Sequence, residues 1–307
     1  MVAVLRRLFD TFLVLFGVST LVFFLLVLIP GDPVDVVLGE SAQPADRAAM
    51  RAALGLDRPL LERWGSFYLD LARADLGDSL VRHQAVAALI AQRLPATLQL
   101  AAAAFILVVC LSIPLGMLAA RYRGRAPDRF AQGVALIGIS VPNFWLGPLL
   151  VLLFSIQLGW TPVSGNAAPG SLVLPAVTLG LSMAAITTRM VRSSLLEIAG
   201  QAFLRTARCK GLSEGRVLWR HSLPNAMLPV ITVLGLQLGG LLAGAVITEV
   251  VFAWPGIGSL LIDAIRQRDY PVVQGVVLFI ALSYVLVNRL TDLLAALLDP
   301  RLREAAE

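Results

Sequence analysis

Six stretches of this chain are each long and apolar enough to cross a lipid bilayer, and that fact removes most folds from consideration. A transmembrane helix needs about 20 mostly apolar residues. Leu8–Ile29, Leu98–Ala120, Phe130–Leu158, Leu172–Leu196, Ala226–Thr248 and Val272–Leu298 all qualify. Inside lipid every backbone N–H and C=O must be satisfied within the segment itself, so runs of this kind fold as helices. The expected class is an all-α membrane protein with six transmembrane helices. A soluble fold fails on composition: 58% of the 307 residues are hydrophobic and 15% charged, and in water such a chain would expose apolar patches that soluble proteins avoid.

Details within the spans carry further expectations. The third is 29 residues long, enough to tilt or to end in a non-helical piece. The fourth carries Arg189 and Arg192 in its last turns, where they are expected to snorkel to a surface. The first follows Arg6 and Arg7 but is too long for a signal-peptide core. Pro30-Gly31-Asp32-Pro33 comes after it with no small-x-small cleavage site, so it is read as a retained span.

Charge gives the orientation. Of the 25 basic residues, 16 fall on one side: Arg6 and Arg7, four in 121–129, seven in 189–220, and Arg289, Arg301 and Arg303. The other nine lie in the long 31–94 segment and at Arg266 and Arg268. Long loops translocate largely regardless of charge, and 31–94 also holds nine acids, so it nets −2 while the rest nets +7. Both termini are therefore expected in the cytoplasm, and the basic excess needs no nucleic acid to explain it. Cys110 and Cys209 form no disulfide framework, and His83 and His221 lie far apart with no Cys nearby, which disfavours a metal site.

The expected organisation is residues 1–30 as cytoplasmic end and first span, 31–94 as an extracytoplasmic helical segment, and 95–307 as a five-helix core with a cytoplasmic loop at 197–223. The 31–94 segment is too long for a simple connector. Leu60, Leu61, Trp64, Phe67, Tyr68 and Leu71 make one apolar stripe behind Pro59, and Val86, Leu89, Ile90 and Leu94 make another leading into Pro95. Gly55 and Gly77 punctuate these helices. A cap packed on the membrane domain and a docking surface for an extracytoplasmic partner both fit.

The cytoplasmic loop is the most informative stretch. A helix through Lys210 is expected to stop at Gly211, which can take the left-handed conformation. Ser213 then stands where its hydroxyl would cap a second, short helix. That helix would present Val217, Leu218 and His221 on one side, flanked by Arg216 and Arg220, and Pro224 would start the fifth span. Such a knob suits a helix-in-groove contact with another protein; an interfacial helix on anionic lipid fits the same residues.

The spacing Gly211-(nine residues)-His221-x-Leu223-Pro224 resembles the EAA loop of ABC-type import permeases, whose pattern ends Gly-x9-Ile-x-Leu-Pro. Arg205-Thr206-Ala207 stands where Glu-Ala-Ala is expected, and His221 replaces Ile. Both departures are features of the peptide-importer branch. Further matches to that branch are Pro30-Gly-Asp-Pro33, Leu54-Gly-Leu-Asp-Arg-Pro59, Asp75-Leu-Gly-Asp-Ser79 and Ile90-Ala-Gln-Arg-Leu-Pro-Ala-Thr97. Val141-Pro-Asn-Phe-Trp-Leu-Gly147, Phe252-Ala-Trp-Pro-Gly-Ile-Gly258, Arg268-Asp-Tyr-Pro271 and Leu298-Asp-Pro-Arg301 continue the series. Together they cover nearly the whole chain, which resembles the B-type permease of dipeptide/oligopeptide/nickel ABC importers.

The resemblance implies the ABC type I importer permease fold with a helical extracytoplasmic insertion, in a bacterial inner membrane. It also implies a homologous C-type permease, two ATP-binding subunits holding ATP and Mg, and an extracytoplasmic binding protein as partners. Arg205, Thr206, Ala207, Lys210, Gly211, Ser213, Val217, Leu218, His221 and Pro224 are the residues expected to couple this chain to the ATPases. Dipeptides or short peptides are the implied substrates; nickel chelates and glutathione-like compounds are handled by the same branch.

No Gly-x4-Gly-Lys-Ser/Thr loop is present, and the single lysine, Lys210, precedes Gly211. The chain thus lacks a recognised ATP site; no catalytic residue, cofactor or metal is expected in it. A secondary transporter is the rival class, but it would hold its coupling ion on ionisable side chains in mid-membrane. The centres of the six spans contain no Asp, Glu, Lys or His. Their neutral polar residues suit interhelical hydrogen bonds, with Asn143 and Gln237 the candidates for a translocation path. Glu249, Trp254, Arg268 and Asp269 are placed at an outer gate, where the apolar, turn-forming 252–271 stretch can dip back toward the membrane. An interfacial anchor is the other reading of Trp254.

Overall fold

The apolar runs fold as helices, and two of them are not what hydropathy alone suggests. The computed structural model describes residues 2–28, 34, 38, 39, 42–53 and 55–298. The Pro30–Pro33 motif, Leu54, residues 299–301 of the closing motif and Arg303 lie outside these residues. In chain order the helices are α1 (Val2–Leu28), α2 (Pro44–Ala53), α3 (Leu60–Ala72), α4 (Val86–Arg121), α5 (Ala126–Ser140) and α6 (Asn143–Leu150). A π-helical stretch, Val151–Gln157, extends α6. Then come α7 (Val173–Ile198), α8 (Ala202–Cys209), α9 (Glu214–Arg216) with a π-helical Val217–Ser222, α10 (Leu223–Val251), α11 (Ile257–Arg266) and α12 (Tyr270–Leu298).

Among the described residues, five helices are long and apolar enough to cross a membrane: Phe9–Leu28, Val86–Arg121, Val173–Ile198, Glu214–Leu241 and Tyr270–Thr291. The third expected span is corrected. It is no single tilted helix, but α5 and the α6–π segment meeting at 104°, and the two reach the length and hydropathy of a span only as a pair. Proline chemistry makes the break. Pro142 disfavours helical backbone in the residue before it, and Val141 is extended (φ −88°, ψ 116°). Pro148 inside α6 removes another backbone donor, and the ladder widens into π-turns directly after it. The second span is also longer than expected: the stripe at Val86–Leu94 does not stop at Pro95 but continues as one helix to Arg121.

The chain separates into two compact units, Met1–Thr97 with Pro255–Ser283, and Leu98–Trp254 with Tyr284–Glu307. In the first, Val86, Leu89 and Ile90 of α4 are buried with Leu26 of α1, Ile257, Leu260 and Ala264 of α11, and Val272, Val273 and Val276 of α12. The α3 stripe lies against α1: ring centroids of Phe16 and Tyr68 are 5.1 Å apart and those of Phe23 and Phe67 5.8 Å. Tyr68 donates its hydroxyl to the Phe16 carbonyl at 3.0 Å, with the Ser19 and Thr20 hydroxyls at 2.6 and 2.7 Å.

In the second unit Val108 and Met117 of α4, Ala184, Val191 and Leu195 of α7, and Ala226, Val230 and Leu234 of α10 form the core. Small residues let these helices approach, as they do in membrane packing generally. A Cβ on Gly116 would lie 2.6 Å from Val191, and one on Gly180 would lie 3.1 Å from the Ala104 carbonyl oxygen.

Arg192 corrects a second expectation, because it does not snorkel. Its Nε and Nη2 donate to the two carboxylate oxygens of Asp128 at 2.7 and 2.9 Å. Asp128 is 2% exposed and also accepts the Gly124 N–H at 2.8 Å and the Gln132 side-chain amide at 3.0 Å. A planar guanidinium facing a carboxylate in this two-bonded way is the stronger kind of ion pair, and here it fastens α5 to α7. Replacing Asp128 by Asn, or Arg192 by Gln, strands the other charge and is expected to lower stability by about 3–5 kcal/mol. Thermal unfolding in detergent checks this, and the apolar double replacement D128L/R192M is expected to recover most of the loss.

Candidate functional site

Two regions gather the residues singled out from sequence. The first is the loop between α7 and α10. Gln201 is extended (φ −70°, ψ 149°) and starts α8. The helix ends as expected at Gly211, which takes φ +79°. The Gly211 N–H reaches the Arg208 carbonyl at 2.9 Å and the Leu212 N–H the Ala207 carbonyl at 3.4 Å, the hydrogen bonds that close a helix through a left-handed residue. Leu212 then packs with Ile198 against a small core of Leu204, Ala207 and Val217. Arg208 and Glu214 make an exposed ion pair at 2.8 Å across the turn.

Three expectations for this loop change. Ser213 has the extended backbone of a cap residue (φ −62°, ψ 146°), but its side chain makes no capping hydrogen bond; only its carbonyl is used, by the Val217 N–H at 2.9 Å. Pro224 does not begin a helix. The π-turn 217–222 runs straight into α10, so Pro224 falls near the start of a continuing one. Third, the exposed side differs. Val217 is 1% exposed, and Leu218 is half-buried against the α4–α7–α10 core.

What faces solvent is Trp219, 58% exposed, between the exposed Arg216 and Arg220, with Phe203 on α8 also exposed. Arg205, Thr206 and Lys210 are exposed, Ala207 is buried and His221 half-buried. Val217, Leu218 and His221 share one side as expected, but it is the protected side of the turn, and Arg216, Trp219 and Arg220 form the exposed one. Trp219 and Phe203 are the residues that sequence reasoning missed. Their signal was an aromatic beside an arginine or close to one in the loop, Trp219 next to Arg220 and Phe203 two residues before Arg205.

The second stretch, Glu249 to Pro271, is divided between the two units, Glu249–Trp254 in the second and Pro255–Pro271 in the first. Glu249 is fully buried and Trp254 is 1% exposed, which sets aside the interfacial-anchor reading of that tryptophan. The Trp254 N–H donates to the Glu249 carbonyl at 2.7 Å, and the Gly165 N–H to the Phe252 carbonyl at 2.9 Å. A Cβ on Gly147 would press on Val251 and Phe252 at 3.1 and 3.2 Å. Beyond Pro255 the expected loop contains a ten-residue helix, α11, whose Ile257, Leu260 and Ala264 are buried. The glycines and proline before it masked that spacing.

Within the first unit, motifs far apart in sequence meet. The Ile257 N–H donates to the Thr97 hydroxyl at 2.8 Å. Asp269, 2% exposed, accepts the Ser79 hydroxyl on one oxygen and the Leu80 N–H on the other at 3.1 Å. The Arg82 N–H reaches the Ser79 oxygen at 2.9 Å. Arg268 is half-buried with φ +52°. Of the path candidates, Asn143 is the half-buried first residue of α6, beside the bend. Gln237 ties α10 to α7, accepting from Thr187 at 2.9 Å and donating to the Met183 carbonyl at 3.3 Å.

Long apolar helices, a sharply bent pair and a rigid helical loop with an aromatic–arginine face define a multi-span permease. Residues 112–304 match the family described as binding-protein-dependent transport system inner membrane component, and residues 1–101 match its N-terminal membrane component. The chain belongs to this family and is the permease of an ABC importer, not itself a catalytic subunit. It is 43% identical to the di/tripeptide transport system permease protein DppB of Pseudomonas aeruginosa, covering 94% of each chain. With the dipeptide transport system permease protein DppB of Escherichia coli K12 it shares 41%, and with the glutathione transport system permease protein GsiC of the same strain 40%, each over 98% of both chains. The inward-facing MetNI methionine ABC transporter aligns with a TM-score of 0.58 at 20% identity, over 69% of this chain and 96% of that one. The fold is that of type I importer permeases.

Asp269→Ala removes the acceptor of two groups, one of them a buried hydroxyl, and is expected to cost about 2–3 kcal/mol. Denaturant unfolding of S79A, D269A and the double variant checks the tie: the double is expected to cost less than the sum of the singles.

Proposed function

We propose that this chain is one half of the translocation path of an importer for dipeptides and other short peptides. Its partners are a homologous C-type permease, two ATP-binding subunits that hold ATP and Mg, and an extracytoplasmic binding protein. The membrane is the bacterial inner membrane, with both termini and the 197–223 loop in the cytoplasm. Residues 1–30 hold the first span, 31–94 the extracytoplasmic segment and 95–307 the core. The peptide assignment draws on the di/tripeptide and dipeptide relatives. Glutathione, which the third relative's name carries, is the second reading, and both substrates are small zwitterions suited to spans with uncharged centres.

The observation that carries the coupling role is the exposed Trp219 between Arg216 and Arg220, on a loop whose other side is fixed by Leu204, Ala207 and Val217. An aromatic flanked by arginines is the side-chain set that dominates docking energies. ATP binding closes the partner ATPases on this face. Because Leu218 is packed against α4, α7 and α10, the push reaches the spans as a unit and opens the path to the outside. Arg205, Thr206, Ala207, Lys210 and Gly211 hold the geometry of the loop, and Ser213, His221 and Pro224 connect it to α10. At the outer end Glu249, Trp254, Arg268 and Asp269 frame the gate, with Asn143 and Gln237 along the path.

In proteoliposomes holding the full complex, Trp219→Ala is expected to lower peptide-stimulated ATP hydrolysis and uptake by about tenfold or more. As an exposed position it should change stability by no more than about 0.5 kcal/mol. Arg208→Gln, which breaks only the exposed pair worth about 0–1 kcal/mol, serves as the control and leaves both rates near wild type. Unchanged rates in Trp219→Ala contradict the coupling role. Uptake that survives ATP depletion but collapses with the proton gradient would make the chain part of a secondary carrier.

A further inference from the structure

A cavity of about 620 Å³ lies in the first unit, between the C-terminal end of α1, α3 and the first turns of α12. Its apolar wall includes Phe23 and Leu26 of α1, Phe67 of α3 and Leu278 of α12. Its lining also carries both signs of charge: Arg51, Arg58 and Arg63, and Asp70 and Asp75. Nothing in the transport mechanism uses these residues.

The depth of the cavity narrows what can fill it. Tyr68 of α3 bonds the Phe16 carbonyl, and Phe16 lies twelve residues before Leu28, about 18 Å along the helix. Hence α3 runs beside the second half of a span that crosses the bilayer, not above it. On α3 Leu61 and Leu69 stay 75% and 63% exposed, as suits a helix whose outer side meets acyl chains. A cleft there, lined by apolar groups of α1 and by charged groups of the 51–75 stretch, faces lipid before it faces any solute.

We propose that this cavity binds a glycerophospholipid with a phosphoethanolamine headgroup. Arg58 and Arg63 hold the phosphate, Asp70 and Asp75 take the primary ammonium, and the glycerol and first methylenes lie on Phe23, Leu26, Phe67 and Leu278. The volume is that of a headgroup and the start of its tails. The remaining tail lies over α1, which is apolar and exposed at Leu21, Leu25 and Leu28. A phosphatidylglycerol lacks the ammonium, and in a phosphatidylcholine three methyl groups replace its N–H donors, so neither matches the aspartates. The inference needs only that α1 lies in a bilayer and does not depend on which cargo is carried.

The test uses the whole permease complex, purified, stripped of lipid and returned to nanodiscs of phosphatidylethanolamine, phosphatidylglycerol or phosphatidylcholine. Retained lipid is counted by native mass spectrometry and thermal unfolding is followed. Phosphatidylethanolamine is expected to be retained in preference to the other two and to raise the unfolding temperature most. Arg58→Gln with Arg63→Gln is expected to lower that retention about tenfold, the loss that goes with removing a charge-assisted contact. Asp70→Asn with Asp75→Asn should keep a lipid bound but abolish the preference for ethanolamine over choline. Equal retention of the three lipids, identical behaviour of wild type and both double variants, or displacement of the lipid by dialanine would each overturn the proposal. Transport activity enters none of these readouts, so their failure is separate from any failure of the peptide-import reading.

Discussion

A chain in lipid has no water to satisfy its polar groups, so each donor and acceptor near the bilayer must be answered by the protein. The most consequential answer here is the pairing of Asp128 with Arg192. Two charges that would each be costly alone become a double-bonded tie between α5 and α7, completed by Gly124 and Gln132. The bend at Val141-Pro142 turns the chain sharply only two residues after α5, so the direction of α6 depends on α5 being held. Gln237 does for α7 and α10 what Asp128 does for α5 and α7, with a neutral amide in place of a charge.

The same logic governs the first unit. Asp269 is nearly inaccessible and is satisfied by Ser79 and Leu80, which lie about 190 residues earlier in the chain. Thr97 answers the first N–H of α11. Motifs that read as separate signatures along the sequence are therefore partners in space. Their residue types follow from the bonds: a short hydroxyl and a carboxylate where backbone amides would otherwise be buried alone.

Much of this was legible in advance because hydropathy reports burial in lipid directly. Five spans lie where the apolar runs place them, and Gly211 ends its helix in the left-handed conformation that only glycine adopts without strain. The rest was hidden for identifiable reasons. Pro142 and Pro148 sit in a run so apolar that its length argued for one helix. Arg192 was read as a surface residue because its partner, 64 positions away, is invisible to local pattern. The side carrying Val217 and Leu218 packs on Leu204, Ala207 and the α4–α7–α10 core, contacts that no local pattern reports, so Trp219 and not Val217 stands on the exposed side. Helix α11 was obscured by the turn residues in front of it.

The central claim is that the face carrying Trp219 and Phe203, and not the buried face carrying Val217, meets the ATP-binding subunits. Site-directed cross-linking measures this directly. Cys110 and Cys209 are exposed and must first be replaced; single cysteines are then placed at 203, 217 and 219 in the assembled complex. The account predicts cross-links to an ATP-binding subunit from 219 and 203, changing in yield between nucleotide-free and ATP-bound states, and none from 217. Cross-linking from 217 alone, or none from 219 in either state, would contradict it.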